Sequence, residues 1–199
     1  MPRYPLSAWR TFRPEAAGVA LSMPARCRIL GLDPGSQRTG FGILDCTAAG
    51  ESHVANGCIN VTGGALSVRL RRIFEAISAL IQEHRPDEIA IERVFVHRNP
   101  DSALKLGQAR GAALCAAVGL GAPAHEYAPR AIKLAVTGYG AADKRQVARM
   151  VATLLTLGAL PGADAADALA VALCHAQGRR LAALGAAPRA SARRAGASP

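Results

Sequence analysis

The sequence predicts an α/β fold, a mixed five-stranded sheet flanked by helices. Three observations predict it. Short apolar runs bounded by Gly, Pro and Asp open the chain from residue 28 onward. Apolar residues then change to helical spacing at Leu66, Leu70, Ile73, Phe74, Ile77 and Leu80. After that point short strands and helices alternate, the pattern of layered α/β proteins. Residues 28–33, 40–45 and 53–61 read as three strands with short polar links, a hairpin-connected meander. The helix from Leu66 ends before Pro86-Asp87. Residues 88–92 form a short apolar strand. Residues 101–119 form an Ala-rich helix, with Asp101 and Ser102 suited to cap its start and Gly119 to close it. Residues 124–127 form another strand. A helix from Pro129 stops before Gly138. Residues 143–157 form the next helix, with Asp143 as N-cap, and residues 163–176 form the last.

Composition sets the outer bounds. The chain has 199 residues, half of them hydrophobic and 19% charged, which suits a folded domain with a real core. The formal net charge is +10, and such a surplus points to a polyanion such as nucleic acid. The surplus lies at the ends. Residues 1–28 hold five Arg and one Glu, and residues 179–199 hold five Arg and no acid. Residues 29–178 carry 14 basic and 13 acidic side chains. The expected organisation is therefore a basic, disordered tail over 1–27, one domain over 28–178 and an Arg/Ala-rich disordered tail over 179–199. Met23 stands just before the first strand, so the residues ahead of it read as a tail or an over-long start. Flexible Arg-rich tails add non-specific affinity for phosphate.

Five cysteines are present without a C-x-x-C, and no Cys/His spacing matches a zinc site. Small buried thiols in a reducing compartment are expected, hence a cytoplasmic protein. The adjacent pair Cys174-His175 reads as structural, and neither His97 nor His125 has the spacing of a ligand. No apolar run reaches the roughly 18 residues of a membrane span, and the N-terminus lacks the apolar stretch of a secretory signal.

Four acids carry the chemistry. Asp33 closes the apolar strand Ile29-Leu30-Gly31-Leu32, and Glu92 closes Ile89-Ala90-Ile91. A carboxylate ending a buried strand is costly unless it is paired or binds a cation. If the two strands are parallel neighbours, both carboxylates leave the sheet at the same edge, where ligands collect. Asp164 and Asp167 are three residues apart in an otherwise apolar helix, so they share a face. The positive end of the helix explains Asp164, but Asp167 lies a turn further in. Four acids without Cys or His suit hard cations such as Mg²⁺ or Mn²⁺. A pair of such ions roughly 3.5–4 Å apart cleaves phosphodiesters. Unrelated capping or surface acids would give a similar spacing about as often.

The residues around these acids narrow the reading. The run Asp33-Pro34-Gly35-Ser36, Thr39-Gly40-Phe41-Gly42 is followed by Ile91-Glu92-Arg93-Val94-Phe95. Then come Asn99-Pro100-Asp101-Ser102-Ala103-Leu104-Lys105-Leu106-Gly107-Gln108-Ala109-Arg110-Gly111 and Ala163-Asp164-Ala165-Ala166-Asp167-Ala168-Leu169-Ala170. Over about residues 28–176 the chain resembles the RuvC family of Holliday-junction resolvases. The 99–111 block is the specific part; the Asp-Pro-Gly turn alone is weak. The resemblance implies a ribonuclease-H-like fold and a homodimer that nicks four-way DNA junctions symmetrically, leaving 3′-hydroxyl and 5′-phosphate ends. It implies two Mg²⁺ per subunit, with Mn²⁺ as a substitute, and work beside the RuvA–RuvB branch-migration complex. Carried over position by position, it assigns Asp33, Glu92, Asp164 and Asp167 as catalytic metal ligands.

Phe95 follows Glu92 in a segment expected to leave the sheet, and an aromatic there can stack on an unpaired base. The resembled family uses this position to open the junction; a core Phe is the plainer alternative. Arg93 and Arg98 flank it as phosphate contacts or merely solvated charges. Lys144 opens a helix and so opposes its dipole, which invites a role on transition-state charge; the resemblance places a functional Lys there. Arg130 and Lys133, one helix earlier, are candidate DNA contacts, and Lys105 and Arg110 read as a solvated face. Gly35, Gly40 and Gly42 allow close backbone approach near Asp33. Two other classes remain open. One is a non-catalytic junction-binding protein with structural acids. The other is an actin- or sugar-kinase-like phosphotransferase, suggested by Asp33-Pro34-Gly35-Ser36 but needing two lobes and a longer chain.

Overall fold

The computed structural model describes residues 26–93, 100–119 and 121–186. Strands β1 (Arg26–Asp33), β2 (Arg38–Thr47) and β3 (Gly50–Asn60) form the expected antiparallel meander. Then come α1 (Leu66–His84), β4 (Glu88–Glu92), α2 (Pro100–Gly119), β5 (Ala124–Tyr127), α3 (Pro129–Thr137), α4 (Lys144–Leu154) and α5 (Ala163–Ala186). The sheet order is β3-β2-β1-β4-β5, with β1, β4 and β5 parallel. It is the mixed five-stranded sheet that the sequence predicts.

Strand alternation divides the core into two layers. Leu30 and Leu32 of β1 and Ile89 and Ile91 of β4 pack on α1 and α2. Ile29 and Ala90 face the opposite way, onto α3, α4 and α5. Burying each large aliphatic side chain of these layers contributes roughly 1.5–3 kcal/mol. The same alternation sends Asp33 and Glu92 to the α5 face. The parallel register pairs Leu32 with Ile91, so the two acids come out side by side one residue later.

Helix α5 is buried almost all round from Ala165 to Ala176. Glycines let it lie directly on the sheet. A Cβ at Gly31 would stand 2.2 Å from the Ala168 carbonyl oxygen, and one at Gly40 would stand 1.9 Å from that of Asp164. Both obstacles are helix backbone, which cannot swing aside, so small residues on sheet and helix set the spacing between the two pairs of acids.

Several boundaries differ from the expectation. β1 starts at Arg26 and so takes in two residues of the expected tail. Helix α5 continues past 176 to Ala186, through the start of the expected C-terminal tail. The extension is anchored: Arg179 pairs with Glu88, and Arg180 Nη2 lies 2.6 Å from Glu51 Oε1. Helix α4 stops at Leu154 instead of 157, where Thr156 takes a left-handed backbone (φ 51°). The cysteines are all free, but only Cys27 and Cys174 are buried; Cys58 and Cys115 are exposed. No helix among the described residues is long and apolar enough to cross a membrane.

Candidate active site

The four acids meet at the carboxyl edge of β1 and β4. Asp33 and Glu92 share a hydrogen bond in which the protonated Glu92 carboxyl donates to the Asp33 carboxylate. Burial is the largest cause raising both pKa values, and the charge of Asp167 raises each further; Asp33 also pushes Glu92 up, whereas the hydrogen bond from Glu92 pulls Asp33 down. Glu92 is pushed up to about 8. Two half-buried carboxyls that cannot both ionise comfortably are a place of unsatisfied negative charge.

The first turns of α5 hold the other two acids against this pair. Asp167 accepts a hydrogen bond from Lys144 Nζ at 2.9 Å. That bond and Asp167's charge raise the pKa of Lys144, which therefore stays charged. Lys144 reaches Asp167 because α4 begins beside α5, its start fixed by a capping box between Asp143 and Gln146. Asp164 Oδ2 accepts from the Cys58 thiol at 3.3 Å and lies 3.6 Å from Arg38 Nη1. Ahead of these residues, Thr39 is fully buried and its hydroxyl donates to the Gly35 carbonyl, closing the turn after Asp33.

The expected basic residues divide. Lys144 is in the cluster. Arg93 is exposed at the end of β4, and its Nε lies 3.4 Å from Glu126 Oε2. Arg130 is exposed in the first turn of α3, and Lys133 is half-buried one turn on. Phe95 and Arg98 lie outside the described residues. Arg110, expected on a solvated face, folds inward instead. Its Nε donates to the Glu92 carbonyl at 3.3 Å and its Nη2 lies 2.5 Å from Glu126 Oε1. It thereby ties α2 to the strand end that carries Glu92. Arg38 and Cys58 were also missed. Period-two alternation on β2 and β3 could have placed them on the α5 face, but nothing local marks them.

A second polar cluster lies at the other end of the same sheet face. His175 on α5 is buried, with Nδ1 2.6 Å from the Tyr127 hydroxyl and Nε2 2.5 Å from Glu88 Oε2. His125 stacks on its ring, with centroids 4.5 Å apart. Ligand atoms of Glu88, His125 and His175 all lie within 4.8 Å of one another. Tyr127, Glu88 and Arg179 already serve this network, which fastens α5 to β4 and β5. Burial lowers His175 to about 4, and Arg179 offsets the charge of Glu88 beside it.

The active-site donors suit hard divalent cations. They are carboxylate oxygens, and the raised pKa values of Asp33 and Glu92 mark negative charge that the protein's own cations leave uncompensated. With Lys144 alongside, the arrangement suits phosphodiester hydrolysis by a water held among the acids.

A family model described as "Crossover junction endodeoxyribonuclease RuvC" matches residues 29–175. The protein of that name from Alkalilimnicola ehrlichii is 54% identical over 148 residues, covering 74% of this chain and 90% of its own length. That from Methylococcus capsulatus is 56% identical over 153 residues, covering 77% and 92%. Among solved structures, Thermus thermophilus RuvC in complex with Holliday junction substrate matches with a TM-score of 0.74 at 32% identity, covering 79% of this chain and 97% of that one. The yeast mitochondrial Holliday junction resolvase Ydc2, at 11% identity and a TM-score of 0.59, shares the fold. This chain belongs to the RuvC family of crossover junction endodeoxyribonucleases.

Proposed function

We propose that this protein resolves four-way DNA junctions by paired nicks, with Asp33, Glu92, Asp164 and Asp167 as its catalytic carboxylates. The observation that carries the reading is the convergence of these acids, from β1, β4 and α5, with Lys144 bonded to Asp167. Two Mg²⁺ ions are the proposed cofactor, with Mn²⁺ as a substitute. Bound among these carboxylates, they would supply an activated water and charge stabilisation at the phosphate. The chain's residues then have distinct tasks. Glu92 and Asp33 would hold a cation as carboxylates, with Glu92 free of the proton that it shares with Asp33 in the metal-free state. Lys144 keeps Asp167 oriented and sets a positive charge beside the phosphate. Arg93, Arg98, Arg130 and Lys133 bind backbone phosphates, and Phe95 stacks on a base at the open junction centre.

A homodimer would present two such sites to two strands of like polarity. Leu104 and Val118 of α2, each 63% exposed, offer apolar surface for a second copy. Work with a RuvA–RuvB branch-migration complex in the cytoplasm belongs to the same proposal. The sugar-kinase alternative needs a second lobe, whereas the described residues build one sheet. The test is a labelled synthetic four-way junction incubated with Mg²⁺ or with EDTA, beside Asp33→Asn and Asp167→Asn. Symmetrical metal-dependent nicks that vanish in both variants while binding survives are expected. A wild type that binds but never cuts, under Mg²⁺ and Mn²⁺ alike, would leave the junction-binding alternative.

A further inference from the structure

Beside the acids, a cavity of about 220 Å³ opens between the start of α4 and the turn over residues 160–163. Lys144 and Asp167 form its inner wall, so it continues the catalytic cleft. Arg145 and Arg149 line it from α4, and Leu160 and Pro161 line it from the segment before α5. Its size is below the roughly 300–1,000 Å³ of sites that enclose a drug-sized ligand. It suits one sugar or base edge of a longer chain.

The two guanidiniums are the unusual part. Arg145 and Arg149 are four residues apart and share a face of α4 with like charge. The first turn of α4 holds no acid, and Lys144 and Arg145 stand at its positive end. Both arginines are exposed, and among the described residues neither has an ion-pair partner. Leu160, 61% exposed, lines the same cavity. Two exposed arginines and an exposed leucine lining one cavity match an alternating anionic and apolar polymer.

We propose that this cavity is a binding site for the DNA strand next to the phosphate being cut. Arg145 and Arg149 hold flanking phosphates, and Leu160 and Pro161 pack on the intervening sugar. The inference rests on the junction-cutting reading and adds a subsite to it. A backbone grip of this kind positions the strand and is blind to base identity.

Junction affinity is measured against salt in EDTA, so that no strand is cut, with Mg²⁺ nicking assays in parallel. Each phosphate contact contributes about 0.9 to the slope of log K against log[salt]. Arg145→Gln/Arg149→Gln should therefore flatten the slope by about 1.8. Wild type would then lose about 12-fold more affinity than the variant between 50 and 200 mM salt. The charge-matched control, Arg71→Gln/Arg72→Gln on α1 across the sheet, should leave the slope unchanged. Leu160→Ser should weaken binding several-fold at every salt without altering it. Equal slopes for wild type and the α4 variant, or equal flattening by the control, would overturn the phosphate contacts. Unchanged affinity in Leu160→Ser would overturn the apolar contact. A wild type that nicks no junction defeats the proposed function; one that nicks while the slopes coincide defeats this inference alone.

Discussion

Replacing Glu92 by Gln should abolish nicking and make the metal-free protein more stable. Glu92 ionises at about 8 in the fold, against an ordinary 4.5, because it is buried beside Asp33 and Asp167. The unfolded chain therefore releases this proton at lower pH, and stability is lost as pH rises from 4.5 through 8. Fully expressed, that penalty is ~5 kcal/mol above pH 8. Glu92 is partly open to water, so we expect roughly half, ~2 kcal/mol. For a chain of this size that is about 4–8 °C in Tm. Gln keeps a donor for Asp33 and removes the charge. The assay is a set of thermal melts in EDTA from pH 5 to 9, for wild type and Glu92→Gln. The curves should coincide near pH 5 and separate above pH 7 with the variant higher. Saturating Mg²⁺ should narrow the gap, since the full set of four acids gains more from it than the three left in the variant. A gap independent of pH, or a variant less stable at pH 8.5, would refute the reasoning.

Gly31→Ala should push α5 off the sheet, costing about 1–3 kcal/mol by overpacking and lowering nicking roughly 100-fold through misplaced acids; melts and single-turnover cutting test both together. Lys144→Ala removes a side chain that is 79% exposed, so Tm should stay within about 2 °C. The cutting rate should fall about 10²–10³-fold, and an unchanged rate would place Lys144 outside the chemistry. His175 stays neutral down to about 4, so acid favours the unfolded chain, and stability should fall by up to ~3 kcal/mol as pH drops from about 6.5 towards 4. Melts in the Glu92→Gln background remove the opposing trend, and a flat profile there would contradict the burial of a neutral ring.

The strands that bear the catalytic acids were legible because their signals are local. Ile89-Ala90-Ile91 is bounded by acids and Pro86, and the structure puts β4 at Glu88–Glu92 as expected. Asp143 marked the start of α4 in the same way. The four acids could be singled out because charge in an apolar run is conspicuous. What stayed hidden depends on distant pairing. Arg179 looked like a tail residue until Glu88, far away in sequence, became its partner. Arg110 sits in a helix with little amphipathic contrast, and only the position of Glu126 on β5 shows why it turns inward. His125 and His175 come together only once α5 has crossed β5.

The distribution of the acids along the chain bears on how the enzyme is made. Asp33 and Glu92 emerge from the ribosome well before α5, and until that helix is synthesised the glycines of the sheet lack the helix that lies directly on them. A nascent chain, or one clipped before residue 163, holds half of the carboxylates and none of the geometry. Such a chain is not expected to cut DNA. Cutting competence thus arrives in one late step, when α5 docks, and the same step covers the exposed sheet that would otherwise invite aggregation.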